Sequence, residues 1–127
     1  MLYTITTSKN MDEVQKQIQE SVKEIGFGIL KEYAFKEILQ DKGYPIQKDI
    51  RVVELCNPAA AQAALSVHPE ISVYLPCRIS FYESNGNTVI STISVDDILV
   101  SFELEDEFKE HMKNIFDKLK KLISSLE

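Results

Sequence analysis

Two cysteines, Cys56 and Cys77, are the residues of this chain best suited to covalent or metal chemistry. Cys56 stands directly before Asn57-Pro58, and Cys77 directly after Leu75-Pro76. Asn is a favoured helix N-cap and Pro a favoured first helical residue, so Cys56 is expected just ahead of a helix N-terminus. Backbone N–H groups and the helix dipole favour negative charge there, which lowers a thiol's pKa and makes Cys56 the candidate nucleophile. The same geometry also suits a structural part, with Cys56 at N′ packing on Ala61 at N4 as a small hydrophobic staple. Cys77 opens a β-favouring run. If that strand lies beside the one ending near Cys56, the two sulfurs meet at one end of a sheet, as a redox couple or half of a soft-metal site.

Other donors are few. His68 and His111 are the two histidines. His68 reads as a C-terminal helix residue favoured by the dipole, and as a weak third metal candidate beside the cysteines. His111 falls on the charged side of the last helix and reads as a solvated surface residue. A structural zinc wants four ligands, commonly with short Cys-x-x-Cys spacings, so no protein zinc site is expected. The N-terminus of the Pro58 helix can attract a small anion, a property of helix starts in general. No Gly-rich phosphate loop, nucleophile elbow or Ser-His-Asp set occurs. Asp96-Asp97 and Glu105-Asp106-Glu107 read as helix-start residues rather than catalytic carboxylates.

The elements that must position the cysteines follow from periodicity. Leu2 to Thr6 alternates as a strand. Ser8 or Asn10, the latter at capping-box spacing from Glu13, can cap a helix whose apolar residues Met11, Val14, Ile18, Val22 and Ile25 recur every three or four positions and which stops at Gly26. Phe27 to Phe35 is a second strand, with Gly28 marking a bulge or close approach. A short helix through Phe35, Ile38 and Leu39 ends at Gly43. Ile50 to Leu55 is an apolar strand, and the small-residue helix from Pro58 ends at His68-Pro69. A hairpin at about 76–83 and 88–94 turns at Asn85-Gly86, with Pro76 at a strand start or edge. "VDDILVSF" is ambiguous between a turn and a short helix. Glu105 to Leu126 forms a long amphipathic helix through Phe108, Met112, Ile115, Leu119, Leu122 and Leu126. The order predicts one α+β domain over residues 1–127, with helices gathered on one face of a largely antiparallel sheet.

Length and composition narrow the function classes. A chain of 127 residues is about one domain long and can bury a core without disulfides. The net charge of −6 is spread along the chain, with no basic stripe for a phosphate backbone, so nucleic-acid binding is disfavoured. No apolar run spans a bilayer, and "MLYTITTSKNMDEV" lacks the basic start and apolar middle of a signal peptide. The expected compartment is the cytoplasm, where thiols stay reduced.

"VVELCNP", then a small-residue helix, then "HPEISVYLPCRISFYE" with a hairpin and a closing amphipathic helix, resembles the domain of unknown function 302 family over nearly the whole chain. The match is most specific at Leu55-Cys56-Asn57-Pro58 and Leu75-Pro76-Cys77. The resemblance implies a compact α+β domain with a TATA-binding-protein-like β-α-β(n)-α arrangement, often dimeric, and no established activity. Branches of that family with Gly before Asn and an apolar residue after Pro lack both cysteines. This chain resembles the Cys-containing branch, so any thiol role is specific to that branch.

The leading expectation is therefore a small non-enzymatic ligand-binding or accessory module, with its site at Cys56, Asn57, Pro58 and Cys77, no cofactor, and a small anion or soft metal as partner. A thiol redox or sulfur-transfer protein, with Cys56 as nucleophile and Cys77 resolving it, is the alternative. A homo-oligomerisation domain, possible as a homodimer, is a third.

Overall fold

The computed structural model describes residues 2–127. Five strands form one antiparallel sheet in the order β1-β5-β4-β3-β2. They are β1 (Leu2–Thr7), β2 (Gly28–Ala34), β3 (Ile50–Cys56), β4 (Cys77–Ser84) and β5 (Asn87–Ile93). The helices are α1 (Met11–Ser21), α2 (Phe35–Asp41), α3 (Pro58–Val67), α4 (Val95–Leu99) and α5 (Asp106–Ser124). Short 3-10 turns cover Val22–Ile25 and Pro69–Tyr74. The α+β class and the element order expected from sequence are those observed. The ambiguous "VDDILVSF" contains the short helix α4, capped by Ser94, whose Oγ accepts from the Asp96 N–H.

One sheet face carries the core. Ile5 stands opposite Ile90, Ile90 opposite Phe81, Val53 opposite Ile79 and Leu55 opposite Cys77. Each of these is buried. Because side chains alternate along a strand, this register commits the other face to Thr4, Lys31, Glu54, Arg78 and Ser91. The core face is closed by Met11, Val14 and Ile18 of α1 and by a wide strip of α5: Met112, Phe116, Leu119, Leu122 and Ile123, followed by Leu126. Phe116 and Ile123 widen the stripe beyond the alternating four-and-three spacing, as a helix packed on a sheet requires.

Local chemistry places the joins. Asn10 Oδ1 accepts from the Glu13 N–H at 2.9 Å and starts α1. Helical backbone continues through the 3-10 turn to Gly26, whose φ of 79° ends it in a left-handed conformation that glycine adopts without strain. Asn85 and Gly86 both have positive φ, as a tight Asn-Gly hairpin turn demands, and Ser84 pairs with Asn87. The β2–β3 ladder shifts register between Ile29 and Lys31, so the irregularity falls at Leu30 rather than at Gly28. Pro76 precedes β4, joined to Leu75 by a cis peptide bond.

Candidate functional site

β3 runs out at Cys56 and hands the chain to α3 through a built cap. Asn57 keeps extended backbone, and its Oδ1 accepts from the Ala60 N–H at 3.1 Å. The Ala61 N–H donates to the Asn57 carbonyl at 2.9 Å. Pro58, the first helical residue, has no N–H to offer. Of the N–H groups at this helix start, that of Ala60 is taken by the cap and Pro58 has none. Gly26 lies against the same cap: a Cβ there would sit 3.6 Å from Asn57 Nδ2.

Antiparallel pairing of β3 with β4 puts Leu55 opposite Cys77, and therefore brings Cys56 to the same end of the sheet. α3 passes over that end on its alanines, and α5 closes it with His111, Met112, Ile115 and Phe116. Between them lies an apolar cavity of about 40 Å³, lined by both cysteines together with Phe27, Asn57, Ala60, Ala61, Ala64, Ile71 and Leu75. One water needs about 10–15 Å³, so the space admits only a few heavy atoms.

The two thiols differ. Both are free, Cys56 half-buried and Cys77 buried. Burial, and secondarily the neighbouring Cys56, push the Cys77 thiol up to about 11, so it is protonated at neutral pH.

His68 does not line this cavity. It caps the end of α3, where Nε2 meets Glu105 Oε2 at 2.9 Å and Nδ1 meets Glu70 Oε1 at 3.2 Å. Its ring also packs edge-on against Phe108, with centroids 4.8 Å apart. The Glu105 hydrogen bond, opposed by partial burial, holds the imidazole above its ordinary pKa, and His68 holds Glu105 below the usual carboxylate range. This histidine is an interhelical clip, set apart from the cavity that the cysteines line. His111, read from sequence as a surface residue, is exposed but borders the cavity. Of the other lining residues, sequence marked Met112 as part of a buried stripe and Phe27 as the start of a strand, while Ile71 and Phe116 were not singled out. The four-residue step from Phe108 to Met112 put Met112 on the buried stripe, but nothing local said that this part of α5 would lie over the start of α3.

A second polar cluster lies on the opposite sheet face. Tyr33 Oη donates to Glu54 Oε1 at 2.6 Å and Arg78 Nε donates to Glu54 Oε2 at 3.1 Å. These bonds leave Glu54 only 7% exposed yet keep it ionised, its pKa lowered first by the Tyr33 hydrogen bond and raised in part by desolvation. Among the described residues no three His, Cys, Asp or Glu side chains gather at metal-binding spacing. Nor is any described helix long and apolar enough to cross a membrane.

The architecture defines a small α+β protein: an open antiparallel sheet with a small apolar cavity, bordered by both cysteine residues, where one strand end meets a helix start. The family model for the domain of unknown function DUF302 matches residues 3–126, and the chain belongs to that family. A solved relative, the uncharacterized conserved protein DUF302 from Bacillus stearothermophilus, is 29% identical. The alignment covers 99% of this chain and 98% of that one, with a TM-score of 0.87. No curated protein matches.

Proposed function

We propose that this chain is a non-enzymatic binding module whose ligand occupies the cavity between the Cys56–Pro58 turn, the Leu75–Cys77 segment and α5. One observation carries the reading: both cysteines of the chain line the same small cavity. Its lining is mostly alanine, aromatic and aliphatic residues, with Asn57 and His111 among them, so the ligand is small and weakly hydrated, and the cysteines and Met112 favour a soft one. A thiol-exchange role would use Cys77 as the resolving nucleophile. A thiol raised to about 11 supplies little thiolate, which favours binding over exchange.

The test is thermal melting of the reduced protein with a panel of small apolar and soft ligands, beside the cavity-filling variant Ala61→Leu. The expected result is a rise in melting temperature for the native chain and none for the variant. Equal responses from both proteins, or no response to any ligand, would overturn the reading.

A further inference from the structure

We infer that the solvent-facing side of the sheet carries a carboxylate-binding site, in which the Nη1–Nη2 edge of Arg78 takes a small organic acid whose apolar body lies in the cleft beside it. The chain has two arginines, and they are used differently. Arg51 is consumed by the fold. Its Nε and Nη2 donate to Asp49 and its Nη1 to Asp12 and Gln15, and its side chain is 17% exposed. Arg78 donates through Nε alone, to Glu54 Oε2, and its side chain is 66% exposed. Tyr33 Oη already holds the other Glu54 oxygen, so this buried carboxylate grips the guanidinium at one nitrogen. Among the described residues neither Nη1 nor Nη2 of Arg78 has a hydrogen-bond partner. That leaves the end-on fork, whose two parallel donors match the two oxygens of a carboxylate.

Charge and surroundings set the ligand class. Glu54 supplies one negative charge here, against two positive ones from Arg78 and from Lys31, whose Nζ stands 4.8 Å from the Tyr33 ring centroid. In a chain of net charge −6 this locality favours an anion. Beside Arg78, where β4 begins and β5 ends, lies a cleft of about 180 Å³. Arg78 is its one charged lining residue, among Leu75, Pro76, Ile93 and Phe116. Tyr74 and Thr92 also line it, but their hydroxyls are already bonded, to Ser101 and to the Arg78 carbonyl. One cationic anchor among apolar groups suits a monocarboxylate with an aromatic or branched aliphatic body, whereas phosphate or sulfate would set charge against apolar walls. The cleft shares Leu75, Cys77 and Phe116 with the smaller cavity, but neither Cys56 nor any residue of α3.

The experiment titrates the nitrogen-15-labelled chain with sodium benzoate at about pH 6, where benzoate is ionised, and follows the Nε–H resonances of both arginines by nuclear magnetic resonance. Uncharged benzamide is run in parallel. The expected result is a saturable shift at Arg78 and none at Arg51, with benzamide binding about tenfold or more weakly. Arg78→Lys keeps the charge but loses the fork, and should weaken benzoate by about tenfold or more, read at the backbone N–H of Ile93. Val73→Glu changes a lining residue that is 80% exposed and leaves the Glu54–Arg78 pair in place. Its added negative charge should weaken benzoate to a similar degree while the chain melts normally. If Arg78→Lys does not fold, Val73→Glu decides. Ala61→Leu, which fills the other cavity, should bind benzoate as the native chain does. No saturable shift at Arg78, equal binding of benzamide, undiminished binding by Arg78→Lys or Val73→Glu, or loss of binding in Ala61→Leu would overturn the site.

Discussion

His68 Nε2 lies 2.9 Å from Glu105 Oε2, a bond that fastens the end of α3 to the residue capping α5. Those two helices are opposite walls of the thiol cavity. The clip thus sits outside the cavity and holds its walls together.

Stability should follow the ionisation of this clip. His68 has a folded pKa above its unfolded value of about 6.5, so its contribution is complete below about 6.5 and is lost as pH rises through the higher folded value. Glu105 has a lowered folded pKa, so its contribution is present above about 4.3 and is lost as pH falls through the folded value. Urea melts from pH 4 to 9 should therefore show a stability difference between the native chain and His68→Gln that is largest in the weakly acidic range. A difference independent of pH would mean that packing on Phe108 is the whole effect.

Thiol labelling should be ordered. At pH 8 a thiol raised to about 11 is ionised in about one molecule per thousand, and Cys77 is also buried, whereas Cys56 is partly accessible. Iodoacetamide followed by peptide mass mapping should modify Cys56 first and reach Cys77 only when the chain unfolds. Prompt labelling of Cys77 in the folded protein would contradict the burial described.

The cap at Asn57 should be worth measuring by denaturant melts. Asn57→Ala removes the acceptor of the Ala60 N–H and should cost about 1 kcal/mol, while Asn57→Asp, which keeps an acceptor, should cost less. Gly26→Ala should destabilise by about 1 kcal/mol for its positive φ, with the contact to Asn57 Nδ2 at ordinary van der Waals distance adding little.

Leu55 is fully buried and faces Cys77 across the ladder. Leu55→Ala should cost about 2–5 kcal/mol, the range for truncating a core aliphatic side chain. It should also enlarge the cavity, so calorimetric melting would show a large stability loss, while xenon or benzene binding, if gained, would register the added space.

Much of this architecture is written in local sequence. Asn57-Pro58, Gly26 and Asn85-Gly86 name their own joins, because capping and tight turns depend on a few neighbouring residues. The apolar spacing of α1 and α5 likewise declares which faces are buried. What local pattern does not carry is which distant elements meet. The Pro69–Tyr74 turn has a β-favouring composition, yet Pro69 starts a 3-10 turn that buries Ile71. His68 looked like a dipole partner for its own helix, and its carboxylate lies 37 positions away. The buried Glu54 reads as a polar interruption in an apolar strand until Tyr33 and Arg78 arrive from the two neighbouring strands. Both cysteines were visible from the start; the β3–β4 register and the roof of α5 are what join them to one cavity.

The register shift at Leu30 bears on colloidal behaviour. β2 is one border of the sheet, and a border strand with a regular ladder is a template for joining another chain into a fibre-like array. Here the extra residue breaks the even spacing of the outward backbone groups, and Lys31 and Glu32 add charge beside it. Leu30, 64% exposed, is tolerated at a border that resists strand-to-strand stacking.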